Sequence, residues 1–175
     1  MASILKFNQA QHTNGTNSYS IGSNGLIKPK NIAFQVSALN IDTSYTASDY
    51  LKLTFPTVEL DTGGYWDSTN NRYTPQVAGW YLFGGTVRIQ TTSSSLVAFK
   101  IAKNGGTNNG LDLPSQFQSS SDIFTNGEYP MPTGMLQLNG TGDYVESFFQ
   151  TEENCTVSDA SSRKSFFWGM LVHAT

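Results

Sequence analysis

The stretch Phe55–Phe83, FPTVELDTGGYWDSTNNRYTPQVAGWYLF, joins turn chemistry to strand periodicity within one short span. After Gly79, the residues Tyr81, Phe83, Val87 and Ile89 fall on alternate positions, the period of a strand with one buried face. Gly85 interrupts that row and marks either a bulge or the close approach of another backbone. Upstream, Asp61-Thr62-Gly63-Gly64 tolerates positive φ, which predicts a tight turn in which Asp61 bonds nearby backbone amides. Ser68-Thr69-Asn70-Asn71 predicts a second turn. Phe55, Trp66, Tyr73, Tyr81 and Phe83 are the large rings this pattern assigns to a packed interior.

Further along, Val97, Phe99 and Ile101 alternate and run into Lys103-Asn104-Gly105, and Asn-Gly after an apolar alternation is a hairpin cue. The chain has 175 residues, enough for one domain that buries a real core without staples. Aromatic residues make up 13% and charged residues 13%, and abundant Gly, Ser, Thr and Asn separate short apolar alternations. That composition favours an all-β sandwich. No long stretch carries apolar residues at helical spacing.

The order and spacing of Phe55, Asp61, Trp66, Tyr73, Gly79, Tyr81 and Phe83 resembles the signature of the complement C1q-like globular-head family, a branch of the tumour-necrosis-factor superfamily of trimeric jelly rolls. Two positions depart from it: Tyr73 stands where the family usually has Phe, and Gly85 where a further aromatic is usual. Ala33–Ala38, with Phe34, resembles the family's first strand, Gly142–Val145 its turn into the penultimate long strand, and Ser165–Val172, with Phe167, its closing strand. The resemblance runs from about Ala33 to Val172. It implies a jelly-roll β-sandwich over residues 33–175, preceded by an extended amino-terminal arm over 1–32. It also implies a homotrimer, with Phe34, Phe55, Trp66, Tyr73, Tyr81, Phe83 and Phe167 packing the core and the subunit contacts.

Charge and cysteine content act as exclusions. A net charge of −3 with no Lys/Arg cluster among aromatics gives no electrostatic footprint for nucleic acid. Cys155 is the only cysteine, so no intrachain disulfide forms. No apolar run is long enough to span a bilayer, so no membrane insertion is expected, and the first residues are too short for a signal peptide's apolar region. His12 and His173 have no neighbouring ligands at zinc spacing, and neither a Gly-x-Ser-x-Gly elbow nor a phosphate-cradling loop appears. Neither an enzyme nor a cofactor or metal protein is expected. The acidic group Glu152, Glu153 and Asp159 beside Asn154 is the one place where calcium is a chemical option.

The segment 1–32 is rich in Asn, Thr, Ser and Gly, with sparse apolar residues at Ile4, Leu5, Phe7 and Ile21 and a terminating Lys28-Pro29-Lys30. Its opening Met1–Lys6, followed by Gln11–Thr16, is similar to the leader on virion proteins of tailed phages of marine bacteria and cyanobacteria. Taken together, the resemblances imply a phage virion surface protein, made in the host cytoplasm. It would be a trimeric knob anchored to other virion proteins of capsid or tail through Ile4, Leu5, Phe7 and Ile21. Capsid decoration, or the knob of a short fibre, is the expected role. The alternative is a tail-fibre tip adhesin whose loops, such as 106–121, take host surface glycan or protein.

Overall fold

The computed structural model describes residues 9–11, 17–21, 27–29, 31–38, 42–93, 95–105, 116–123, 126–157 and 165–175. The chain divides into two compact units, Met1–Ile32 and Ala33–Thr175. In the first, β1 (Gln9–Gln11), β2 (Asn17–Ile21) and β3 (Ile27–Pro29) form an antiparallel sheet with β2 in the middle. The extended segments of the arm thus pair with one another, Ile21 opposite Ile27. Pro29 sits on the edge strand β3, where a missing N–H breaks no central ladder. Ile4, Leu5 and Phe7 lie outside the described residues.

The second unit is all β. Its strands are β4 (Ala33–Ser37), β5 (Thr43–Tyr45), β6 (Ser48–Lys52), β7 (Thr57–Asp61), β8 (Trp66–Asp67), β9 (Arg72–Tyr73) and β10 (Gly79–Thr91). They continue with β11 (Ser95–Lys103), β12 (Gln116–Ile123), β13 (Asn126–Pro130), β14 (Gly134–Leu138), β15 (Val145–Thr151), β16 (Cys155–Val157) and β17 (Phe166–Ala174). One sheet runs β5-β16-β10-β17-β4-β7, with β14 and β13 taking the remaining edge of β10 in succession. The other runs β12-β11-β15-β9-β8, with β6 also on β15. Strands distant in the chain lie side by side, β4 between β7 and β17, the mark of a jelly roll rather than a meander.

The inward faces meet in an aromatic core. The ring of Phe34 stacks on Tyr73 at 4.1 Å and meets the edge of Phe167 at 5.1 Å. Phe55, Tyr81 and Phe83 are buried around them, and Trp66 is half-buried against Phe34 at 5.6 Å. Gly169 makes this crossing possible, because a Cβ there would fall 2.5 Å from Phe83 and 2.6 Å from Phe34. Gly85 settles between its two sequence readings: the ladder to β17 is regular there, and another backbone approaches closely. A Cβ at 85 would meet the Phe166 carbonyl at 2.3 Å and the Met131 sulfur at 2.7 Å. Buried Met131 occupies the space that a side chain at 85 would need, just where β10 exchanges β14 for β13.

Both predicted turns form, and their side chains explain them. Asp61 Oδ1 accepts from the amides of Gly63 (3.3 Å) and Gly64 (2.9 Å), and Oδ2 from that of Trp66 (2.8 Å). Asp67 Oδ1 accepts from the Asn70 amide at 3.0 Å, and Asn71 has a φ of 47°. The Asn104-Gly105 cue needs correction. Both residues have positive φ, but β12 begins only at Gln116, so the pair opens a longer connection instead of closing a two-residue hairpin. The reason is tertiary: Asn104 is tied to the neighbouring turn, its Nδ2 donating to Asp143 (2.8 Å) and its Oδ1 accepting from the Tyr144 amide (3.0 Å).

Candidate binding surfaces

Strand alternation places one set of side chains in the core and the other on the outward face of the sheet. On β10, Tyr81 and Phe83 are buried, so Trp80 and Leu82 point outward. On β17, Phe167 is buried and Trp168 and Met170 take the outward positions; on β14, Leu136 and Leu138 are buried and Met135 faces out. Registration then builds a continuous apolar row, because Leu82 pairs with Met135 on one side and Met170 on the other. Met135 is 53% exposed and Met170 44%. Trp80 adds to this row, while Val58 and Leu60 are exposed on β7, with Gln35 of β4 between Leu60 and Trp168. The inward rings named from the sequence thus pack within one chain, Trp66 half-buried, and the outward face is carried by their neighbours. The same alternation separates the two sets in the sequence, with Tyr81 and Phe83 on the inward side as the ring pattern assigns them.

A second feature lies where β5, β16 and the last residues of β10 run side by side. Gln90 pairs with Thr156 and Thr156 with Ser44, so three polar side chains stand in one row across three strands. Thr46, Thr92 and Asn154 complete the rim of a cleft of about 400 Å³. Its floor is fixed from below: Tyr45 meets the edge of Phe149 at 4.8 Å, and its hydroxyl is 3.3 Å from that of Thr54. Burial pushes the Tyr45 phenol above its ordinary pKa, against the hydrogen bonds from Thr54. Cys155, also buried at this floor, has its thiol pushed up by burial to about 11, so it stays protonated at neutral pH. Asn154 Oδ1 accepts from the Ala47 amide at 2.9 Å. With its carboxamide turned to the hydrogen-bonding orientation, Gln90 Oε1 accepts from Arg88 at 2.9 Å.

A third cluster is structural. Asp143 Oδ2 accepts from Lys103 (3.1 Å) and from the Asn139 amide (2.9 Å), while Asn139 Oδ1 accepts from the amides of Thr141, Gly142 and Asp143. Burial alone would raise the Asp143 carboxyl, but the hydrogen bonds from Asn104, Lys103 and Asn139 and the charge of Lys103 hold it below the usual range. Among the described residues, no three His, Cys, Asp or Glu side chains gather to hold a metal ion. Glu152 and Glu153 are exposed, and Asp159 lies outside the described residues, as does most of the loop 106–121. No described helix is long and apolar enough to cross a membrane.

Solved structures share this architecture. The globular domain of zebrafish complement 1qA superposes with a TM-score of 0.54 at 15% identity, over 82% of this chain and 99% of that one. Eiger TNF from S. frugiperda gives a TM-score of 0.58 at 12% identity, over 83% and 94% of the two chains. Murine APRIL at pH 5.0 gives 0.56 at 11% identity, over 81% and 99%. At these identities the likeness is one of fold, and it defines the class: an all-β jelly roll of the C1q/TNF kind. No protein-family model and no curated protein matches the sequence.

Proposed function

We propose that the chain is a virion surface protein of a phage, a homotrimeric C1q-like knob attached to capsid or tail proteins through residues 1–32. The observation that carries the assembly is the outward row Met135–Leu82–Met170 with Trp80 beside it, apolar and without a charged side chain between. Surfaces of this kind on a small domain are docking sites. A second copy of the same chain is the fitting occupant, because closed symmetric assembly buries the same apolar patch on every subunit. The leader resemblance of Met1–Lys6 and Gln11–Thr16 supports the phage particle as the place of action. A structural or binding role fits better than catalysis, since neither surface offers a nucleophile paired with a base.

The test is mass and position. Native mass spectrometry should give three times the chain mass of 19.1 kDa, and immunogold labelling should find the protein on the outside of particles. A stable monomer sinks the trimer, and absence from purified particles sinks the virion reading. The adhesin remains a second reading, favoured by the polar cleft bounded by β5, β16 and β10.

A further inference from the structure

We propose that the cleft at the end of β5, β16 and β10 is a binding site for a neutral saccharide. The inference rests on the adhesive reading above and names its site and ligand class.

Ser44, Thr46, Gln90, Thr92, Asn154 and Thr156 all reach the cleft, and every one carries a hydroxyl or a carboxamide. Among the described residues, no acidic or basic side chain lines it, which disfavours phosphate, carboxylate or ammonium ligands that would be left without a counter-charge. The lining is also too polar to welcome a purely apolar molecule, whose entry would strip water from groups it cannot hydrogen-bond. A polyol answers both constraints, because each of its hydroxyls donates and accepts, as hydroxyls and carboxamides do. The two carboxamides are oriented rather than loose. Asn154 Oδ1 is held by the Ala47 amide and Gln90 Oε1 by Arg88, so each presents its NH₂ group as a donor. Between them, Thr156 stands in the row from Gln90 to Ser44 with a step of ~4.8 Å, the spacing of neighbouring strands, so that the three side chains can meet different hydroxyls of one sugar. The volume of about 400 Å³ lies in the range of small-ligand clefts. The floor is anchored to the core, half-buried Tyr45 packing on buried Phe149, so the site exists before the ligand arrives.

The experiment uses the full chain in two arms. In the first, ¹⁵N-labelled protein is titrated with lactose, N,N′-diacetylchitobiose, maltotriose and 3′-sialyllactose while backbone amides are followed by NMR. At least one neutral sugar should shift the amides of Ser44, Thr92 and Thr156 in a saturable way, and sialyllactose should bind no better than lactose. Thr156→Val keeps the β-branched shape on an outward strand position and removes the hydroxyl; it should weaken binding about fivefold, the loss of one hydrogen bond. Gln90→Met should weaken it by a similar factor, and the unchanged spectrum of each variant elsewhere checks the fold. In the second arm, the chain and both variants are applied to an array of neutral and acidic glycans. Array binding lost in both variants supports the site. Array binding retained in both overturns the site and leaves adhesion standing at another place. No shift at these amides and no array binding overturn the site and the glycan-adhesion reading together.

Discussion

Tyr73 brings a hydroxyl into the most aromatic part of the core, where Phe34 stacks on its ring and, among the described residues, no group hydrogen-bonds its oxygen. Burial drives its pKa upward, with Tyr81, Asp61 and Tyr65 adding to the effect, so the phenol is neutral at neutral pH. A buried polar group without a partner is destabilising by roughly 1–3 kcal/mol. Tyr73→Phe should therefore stabilise the protein by about 1 kcal/mol in urea denaturation. A loss of stability instead would show that the hydroxyl has a water partner. Tyr81 is the contrast: its hydroxyl donates to the Val77 carbonyl at 2.9 Å, and burial first, then Tyr65, push it up to about 12. Asp143 shows the opposite direction of shift. Its folded pKa is depressed below the ordinary ~3.9, so its contribution to stability is present above that value and is lost as pH falls through the folded pKa. Thermal melts between pH 6 and 3 should fall less steeply for Asp143→Asn than for the parent; equal slopes would remove Asp143 from the acid response.

At the scale of elements, β10 and β17 carry both faces of the molecule's chemistry. They pair along the first half of β10, Gly79 to Thr86, with inward rings alternating with outward apolar residues. Phe167→Ala should destabilise by about 3–5 kcal/mol, since a fully buried ring leaves a cavity among Phe34, Phe55 and Phe83. A change of a few tenths would mean that the register assigned to β17 is wrong. The outward Met135 should behave differently. In the single chain, Met135→Ala should cost about 1 kcal/mol or less, because Met135 is 53% exposed there.

For the whole molecule, the prediction is that assembly and folding separate. Leu82→Glu with Met170→Glu places charges in the middle of the outward apolar row without touching the inward rings. The double variant should keep the far-ultraviolet spectrum of a sandwich and run as a monomer on size exclusion with light scattering. A variant that still forms trimers would move the interface to another face. Removal of residues 1–32 should leave the jelly roll folded and trimeric, since the second unit contains the aromatic core. The truncated trimer should fail to add back to particles that lack the protein, whereas the full chain should bind them. Equal add-back would place the anchor on the globular unit.

What the sequence determined by itself is what local chemistry and period two can encode. Asp61 and its glycines, the Ser68–Asn71 turn and the alternation after Gly79 are all short-range and specify an all-β sandwich, and the spacing of the rings adds a resemblance to the C1q/TNF kind. Three things were decided only by tertiary structure. Asn104-Gly105 has the φ values of a tight turn but is committed to Asp143 and Tyr144, forty residues away, so no local rule finds its role. Gly85 is explained by Met131 and the Phe166 carbonyl, which approach from other strands. The polar cleft is assembled from β5, β10 and β16, segments that share no sequence pattern and meet only because the sheet pairs Gln90 with Thr156 and Thr156 with Ser44. Strand periodicity fixes which residues share a face, but long-range pairing fixes which faces meet, and sites are made where they meet.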